Sequence, residues 1–174
     1  MRRILLSCAF LAVLTLPAAA SARAHAQAKP GYLVIRKGTG DGGVGGHPVV
    51  TLVVKGFVLG RVSREARVDI YRLPSTTDQG APQEKGADVR TRTIHRRHFS
   101  RTEYSGSNFR FSALGGFYRV VVRGSGLYLF AGGQGNVTLQ GSSVYRHDDG
   151  WYSLDGAPFR SLPTSLQKRP IGQG

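Results

Sequence analysis

Cysteine is nearly missing from this chain of 174 residues, and its one example, Cys8, falls inside an apolar N-terminal run. Downstream of that run there can be no disulfide, no thiolate zinc site and no cysteine nucleophile. Acidic residues are also few, ten Asp and Glu against 24 Lys and Arg, which leaves the chain strongly basic. No window after Pro30 keeps an apolar period of 3.6, so amphipathic helices are not expected. No G-x-S-x-G is present, and no Ser-His-Asp set can be picked out of the loops.

The N-terminus reads as a secretory leader. Met1-Arg2-Arg3 forms a basic start, Ile4 to Leu16 an uncharged apolar stretch, and Pro17 opens a small-residue region, AAASARAHA. Cleavage is expected after Ala22, Ala24 or Ala26, so that residues 1–26 are a signal peptide. The apolar stretch is shorter than the roughly 20 residues of a membrane span. Cys8 has apolar chain still following it, which argues against a lipoprotein box, and Arg2-Arg3 is an ordinary basic start rather than a twin-arginine signal. The mature chain is then expected outside the cytoplasm, secreted or held at the cell envelope, without a transmembrane span.

Removing Arg2, Arg3 and Arg23 with the leader takes the formal charge from +14 to +11. Such a balance favours anionic partners. The cations are mostly arginine, since the lysines are Lys29, Lys37, Lys55, Lys85 and Lys168; with abundant Ala, Gly and Val this suggests GC-rich codons and a bacterial source. About 148 residues remain, enough for one domain with a sizeable core.

Short β-branched and aromatic runs bounded by glycine recur along that domain. They give candidate strands at residues 32–36, 49–55, 58–62, 67–71, 108–113, 117–123, 127–131, 136–140, 143–146 and 151–154. The expected fold is all-β, a single compact domain of about ten short, mainly antiparallel strands over residues 27–160, as a sandwich or barrel. Short connections are read as hairpins. A long polar insert is expected at about 74–107 and a Pro/Gly-containing tail at 161–174. In FYRVVVR, Tyr118, Val120 and Val122 share one face and Phe117, Arg119, Val121 and Arg123 the other. LYLFA is apolar on both faces and should lie centrally.

Gly38, Gly56 and Gly124 each follow an apolar run and a basic residue, and Val50, Val68 and Val137 come twelve or thirteen residues later. A repeated hairpin-like unit with glycine at turns or bulges accounts for this spacing, and a short β-solenoid is the alternative.

Two of these segments carry a resemblance. Through the leader, VVKGFVLGRV and the stretch Val120 to Gly141, the chain resembles secreted β-rich proteins of actinomycetes for which no activity is known. The resemblance implies export and a β-rich fold, and it transfers no active-site residue.

Several motif matches fail on context. GTGDGG, Gly38 to Gly43, fits a dinucleotide fingerprint but no helix follows it. SLQK, Ser165 to Lys168, has no companion motifs. His95 and His98 stand three apart in a basic stretch with no neighbouring carboxylate, and His147, Asp148 and Asp149 read as a turn. No metal, cofactor or catalytic residue is assigned on these grounds.

The remaining feature is VRTRTIHRRHFSR, with Arg90, Arg92, Arg96, Arg97 and Arg101 as candidate contacts for an anionic ligand, either a cell-wall polymer or lipid headgroups. Nucleic acid is disfavoured for an exported chain. On one continuous strand Arg90, Arg92 and Arg96 would share a face, with Arg97 and Arg101 on the other. A charged edge strand protected from pairing is the competing explanation. Two function classes stay open, a non-catalytic binding or structural β module, and an envelope-acting hydrolase using scattered carboxylates such as Asp148, Asp149 and Asp155. Intact-mass measurement of the protein recovered from culture fluid or envelope should give an N-terminus between Arg23 and Gln27; an intact Met1 on a membrane-embedded chain would show a retained anchor.

Overall fold

A computed structural model describes residues 29–36, 48–74, 80–97, 99–141 and 149–172. The expected leader, Gly38 to Gly43, the candidate strand at 143–146, His98, His147 and Asp148 lie outside the described residues. Among the described residues eleven strands are formed: β1 Gly31–Arg36, β2 Val49–Val62, β3 Ala66–Arg72, β4 Gln83–Lys85, β5 Asp88–Arg96, β6 Phe99–Ser107, β7 Phe109–Gly124, β8 Leu127–Gln140, β9 Trp151–Leu154, β10 Arg160–Ser161 and β11 Gln167–Ile171. They make one antiparallel sheet in the order β10-β9-β1-β8-β2-β7-β3-β6-β5, with β11 added to β8 and β4 to β7. The sheet does not close into a barrel, and nothing in this order is a solenoid. Among the described residues no helix is long and apolar enough to cross a membrane.

Glycine explains why fewer, longer strands replace the short ones expected at 49–62, 108–123 and 127–140. Gly56 in β2 pairs with Gly116 of β7 on one side and Gly133 of β8 on the other, and Gly133 pairs in turn with Gly31 of β1. Four strands thus carry glycine at one level. A Cβ on Gly133 would collide with the Lys55 carbonyl oxygen and come 3.0 Å from the Cα of Gly56. Backbones approach this closely only where side chains are missing, and the three long strands bend there instead of ending.

The bend folds the sheet over itself. One layer holds the first half of β2, the second halves of β7 and β8, and β3, β5, β6 and β11; the other holds their remaining halves with β1, β4, β9 and β10. The two ends of β2 return to one place, since the Gly124 amide donates to the Pro48 carbonyl at 3.3 Å and the Ser63 amide to the Gly126 carbonyl at 3.1 Å. This closure overturns the reading of every short connection as a hairpin. Only Ser125 and Gly126 separate β7 from β8, yet these two strands flank β2 and both pair with it antiparallel. In a flat sheet that connection would need a long crossover; in a folded one the ends already meet.

Side-chain alternation fills the space between the layers. Val50, Leu52, Val54, Val58 and Val62 of β2 are fully buried, with Tyr118, Val120 and Val122 of β7 and Val137 and Leu139 of β8. An extra residue around Leu114 and Gly115 flips the parity of β7, so that Phe109, Phe111 and Ala113 reach the same core from odd positions. The rings of Tyr104, in β6, and Phe109 meet across the layers with centroids 6.4 Å apart. Burial of Tyr104, with Glu84 near, pushes its hydroxyl pKa up to about 12.

Two sequence boundaries need correction. The expected insert at 74–107 contains β4, which adds to one layer, and the hairpin β5–β6, which completes the other. The expected tail contains β11, paired with β8 from Gln167 to Ile171, and Ile171 is fully buried. The three glycine–valine spacings are not equivalent either: Gly56 sits mid-strand and Gly124 ends β7, while Gly38 is outside the described residues.

Gly133 has φ 136°, and Gly115 has φ 65° with open space where a Cβ would be. Gly115→Ala should therefore cost only its backbone strain, about 1 kcal/mol. Gly133→Ala adds the collision and should cost at least ~3 kcal/mol. Urea midpoints of the two variants check this difference.

Candidate anion-binding face

Cross-strand register assembles the basic residues on the outward side of the layer that holds β5, β6, β3, the end of β7 and the start of β2. One row runs Arg90, Ser105, Arg67, Arg123; the next runs Arg92, Glu103, Asp69, Val121; a third runs Ile94, Arg101, Tyr71, Arg119. Arg96 stands opposite Phe99 in a fourth. Residues along a strand on one face lie about 7 Å apart and neighbouring strands about 4.8 Å apart, so the guanidinium groups form a two-dimensional array.

Asp69 organises its centre. The residue is 2% exposed, and its carboxylate accepts from Arg101 Nε at 3.1 Å and Nη2 at 2.7 Å, and from Arg123 Nη1 at 2.9 Å. Arg67 Nε lies 3.5 Å away as a third cation. Glu103 Oε2 accepts from both Arg67 Nη2 and Arg101 Nη2 at 2.9 Å. Arg67 and Arg123 face each other directly across neighbouring strands, an arrangement that repels and that Asp69, touching both, compensates. The Asp69 hydrogen bond also holds the Arg101 guanidinium above its ordinary pKa, against desolvation.

An aromatic ring fixes the neighbouring cations. Arg101 and Arg119 lie 5.6 and 5.7 Å from the centroid of Tyr71, from adjacent strands on its two sides. Phe99 packs against the same ring at 5.8 Å.

The five arginines expected from sequence are thus divided. Arg90, Arg92 and Arg96 share one face of the edge strand β5 and are exposed. Arg101 joins that face instead of the opposite one, because the chain turns at Arg97 and Arg101 returns on β6 opposite Ile94. Arg97 is exposed at the turn and belongs to neither strand. The strand is indeed a terminal one of the sheet. Sequence reading missed Arg67, Arg119 and Arg123 as site residues; the alternation in FYRVVVR marked two of them as facing outward, but not whom they would face.

Of the carboxylates weighed for hydrolysis, Asp148 lies outside the described residues and Asp155 holds strands together. Asp155, at φ 50° in the turn after β9, accepts from the Tyr32 amide at 2.8 Å and from the Gly172 amide at 3.5 Å. It ties β9, β1 and the end of β11 together. Comparison with protein-family models, with curated proteins and with solved structures finds no match to this chain.

Replacing Asp69 by Asn leaves three guanidinium groups around a neutral amide. Removing one partner of a buried pair costs about 3–5 kcal/mol. Exposure of Arg67 and Arg123, 48% and 51% at the side chain, screens part of that, so a loss of about 2 kcal/mol is expected in urea denaturation. Adding Arg123→Gln to Asp69→Asn should recover part of it, since the repulsion then falls.

Proposed function

We propose that this protein is a non-catalytic, exported β module that binds an anionic polymer of the cell envelope through the arginine array. One observation carries the reading: Arg67, Arg90, Arg92, Arg96, Arg101, Arg119 and Arg123 share one side of one layer, with Asp69 and Glu103 as the acidic residues of those rows and Asp88 beyond them opposite Ser107. Asp69 and Glu103 are occupied in holding Arg67, Arg101 and Arg123. Arg90, Arg92 and Arg96 make no ion pair with another described residue within the same layer's ladder, and they point to solvent.

The division of labour follows from this geometry. The buried Asp69 cluster provides rigid guanidinium forks, which match phosphate or carboxylate oxygens in pairs. The edge strand provides exposed charge at steps of about 7 Å, from Arg90 to Arg92, and about 14 Å, from Arg92 to Arg96, suited to successive anionic groups of an extended chain rather than to one small ion. Export places such a surface where phosphate-bearing and carboxylate-bearing polymers occur.

The test is Arg90→Gln/Arg92→Gln/Arg96→Gln in cosedimentation with isolated cell walls and in titration with inorganic polyphosphate. Exposed ion pairs contribute about 0.2–1 kcal/mol each, so the triple variant should bind roughly tenfold more weakly at physiological salt while its circular dichroism stays unchanged. Binding by the unaltered protein should fall as salt rises, since the Debye length shrinks below ~8 Å. Equal, salt-independent binding by both proteins would reduce the array to a protected sheet edge.

A further inference from the structure

The outward side of the second layer is of a different kind. LYLFA is apolar on both faces, and the structure places it inside the sheet as expected, yet among the described residues no strand covers its outward side chains: Tyr128 and Phe130 are each 42% exposed. Phe130 stands opposite Leu59 of β2 and Val34 of β1. Its ring meets Phe57 at 5.3 Å and Tyr32 at 6.4 Å, both edge-on. Gly132 makes room for this cluster, because a Cβ there would come 2.6 Å from the Phe57 ring. The apolar patch is therefore continuous over three strands.

A row of cations borders it. Lys85 pairs with Arg110, Arg110 with Arg61, and Arg61 with Tyr128 across β4, β7, β2 and β8. Arg36, the last residue of β1, continues the row next to Trp151 of β9, and its guanidinium lies 4.3 Å from the Phe159 ring. Alternation puts no Asp or Glu on the outward side of these strands among the described residues. Four cations and an aromatic-aliphatic patch thus stand side by side, one residue pair or about 7 Å apart, on the side of the molecule away from the arginine array.

The geometry points to this face as a docking surface for an anionic lipid bilayer. Charge complementarity selects that occupant: a row of like charges with no carboxylate among them calls for a negatively charged partner, and the adjoining patch calls for an apolar one. A bilayer with anionic headgroups presents both within that distance, the cations meeting headgroups and Phe130, Leu59 and Tyr128 entering the headgroup–acyl boundary. Aromatic residues with one polar edge favour that boundary. This surface is separate from the polymer-binding reading, and either can hold without the other.

The chain has one tryptophan, and Trp151 lies at the end of the cation row, which supplies a built-in reporter. The experiment uses purified protein whose N-terminus has been determined by mass, with phosphatidylglycerol/phosphatidylcholine vesicles, phosphatidylcholine vesicles, and the mixed vesicles with brominated acyl chains. Cosedimentation with the mixed vesicles, little with phosphatidylcholine, and bromine quenching of Trp151 are expected. Leu59→Asp/Phe130→Asp should bind at least tenfold more weakly, Arg61→Gln/Arg110→Gln should lose the preference for phosphatidylglycerol, and Arg90→Gln/Arg92→Gln/Arg96→Gln should still show the quenching. Circular dichroism confirms folding of each variant; if Leu59→Asp/Phe130→Asp is unfolded, Arg61→Gln/Arg110→Gln and the quenching decide. Failure of the unaltered protein to bind, binding without quenching, binding unchanged in the folded apolar-patch variant, or self-association through the patch in place of vesicle binding would each overturn the inference.

Discussion

The close approach of backbones at Gly116, Gly56, Gly133 and Gly31 is the constraint on which the molecule depends. A sheet of long strands has two faces to cover, and among the described residues there is no helix layer to cover either. Bending the three longest strands at one level makes the sheet cover itself on one side. Everything else follows: the valine-rich alternation of β2 serves a core shared by both layers, the connection between β7 and β8 becomes short, and two outward faces are left to differ in chemistry.

Those faces differ because the same strands carry different residues on each side of the bend. β7 presents Arg119 and Arg123 on one layer and Arg110 and Ser112 on the other; β8 presents Asn136 and Thr138 on one and Tyr128 and Phe130 on the other. In the first layer a buried carboxylate gathers arginines that would otherwise repel. In the second the aromatic residues gather among themselves and the cations keep to one row. A high net positive charge is thus distributed unequally, compensated internally at Asp69 and left open along β5 and along the row from Lys85 to Arg36.

Strand content was legible in the sequence wherever apolar residues alternate, as at Tyr32, in VVTLVVK and in FYRVVVR, since burial on one face imposes that period. The length of the strands was not, because a glycine that bends a strand and one that ends it look alike: Gly56 does the first and Gly124 the second. β5 could be weighed only as a charged edge strand, and its partner β6 was hidden by composition, for strands with alternating Arg and Thr or Ser bury little and show no apolar period. β11 was hidden by Pro170, which a terminal strand tolerates on its free side. Among site residues, Arg90, Arg92 and Arg96 could be found from spacing within one segment. The Asp69 cluster could not, since Arg67, Arg101 and Arg123 come from three strands whose register is set by the fold.

Sharing three strands between layers also makes the molecule indivisible. β2, β7 and β8 each run through both halves, so no point along them separates one half from the other, and neither half has a core of its own. Most pairings join residues distant in sequence, β1 with β8 and β2 with β7 among them. Such topologies fold slowly, because the entropy of closing long loops must be met before distant strands stabilise each other. The first and last of the described strands, β1 and β11, both dock on β8, so the sheet is complete only once synthesis has passed β11.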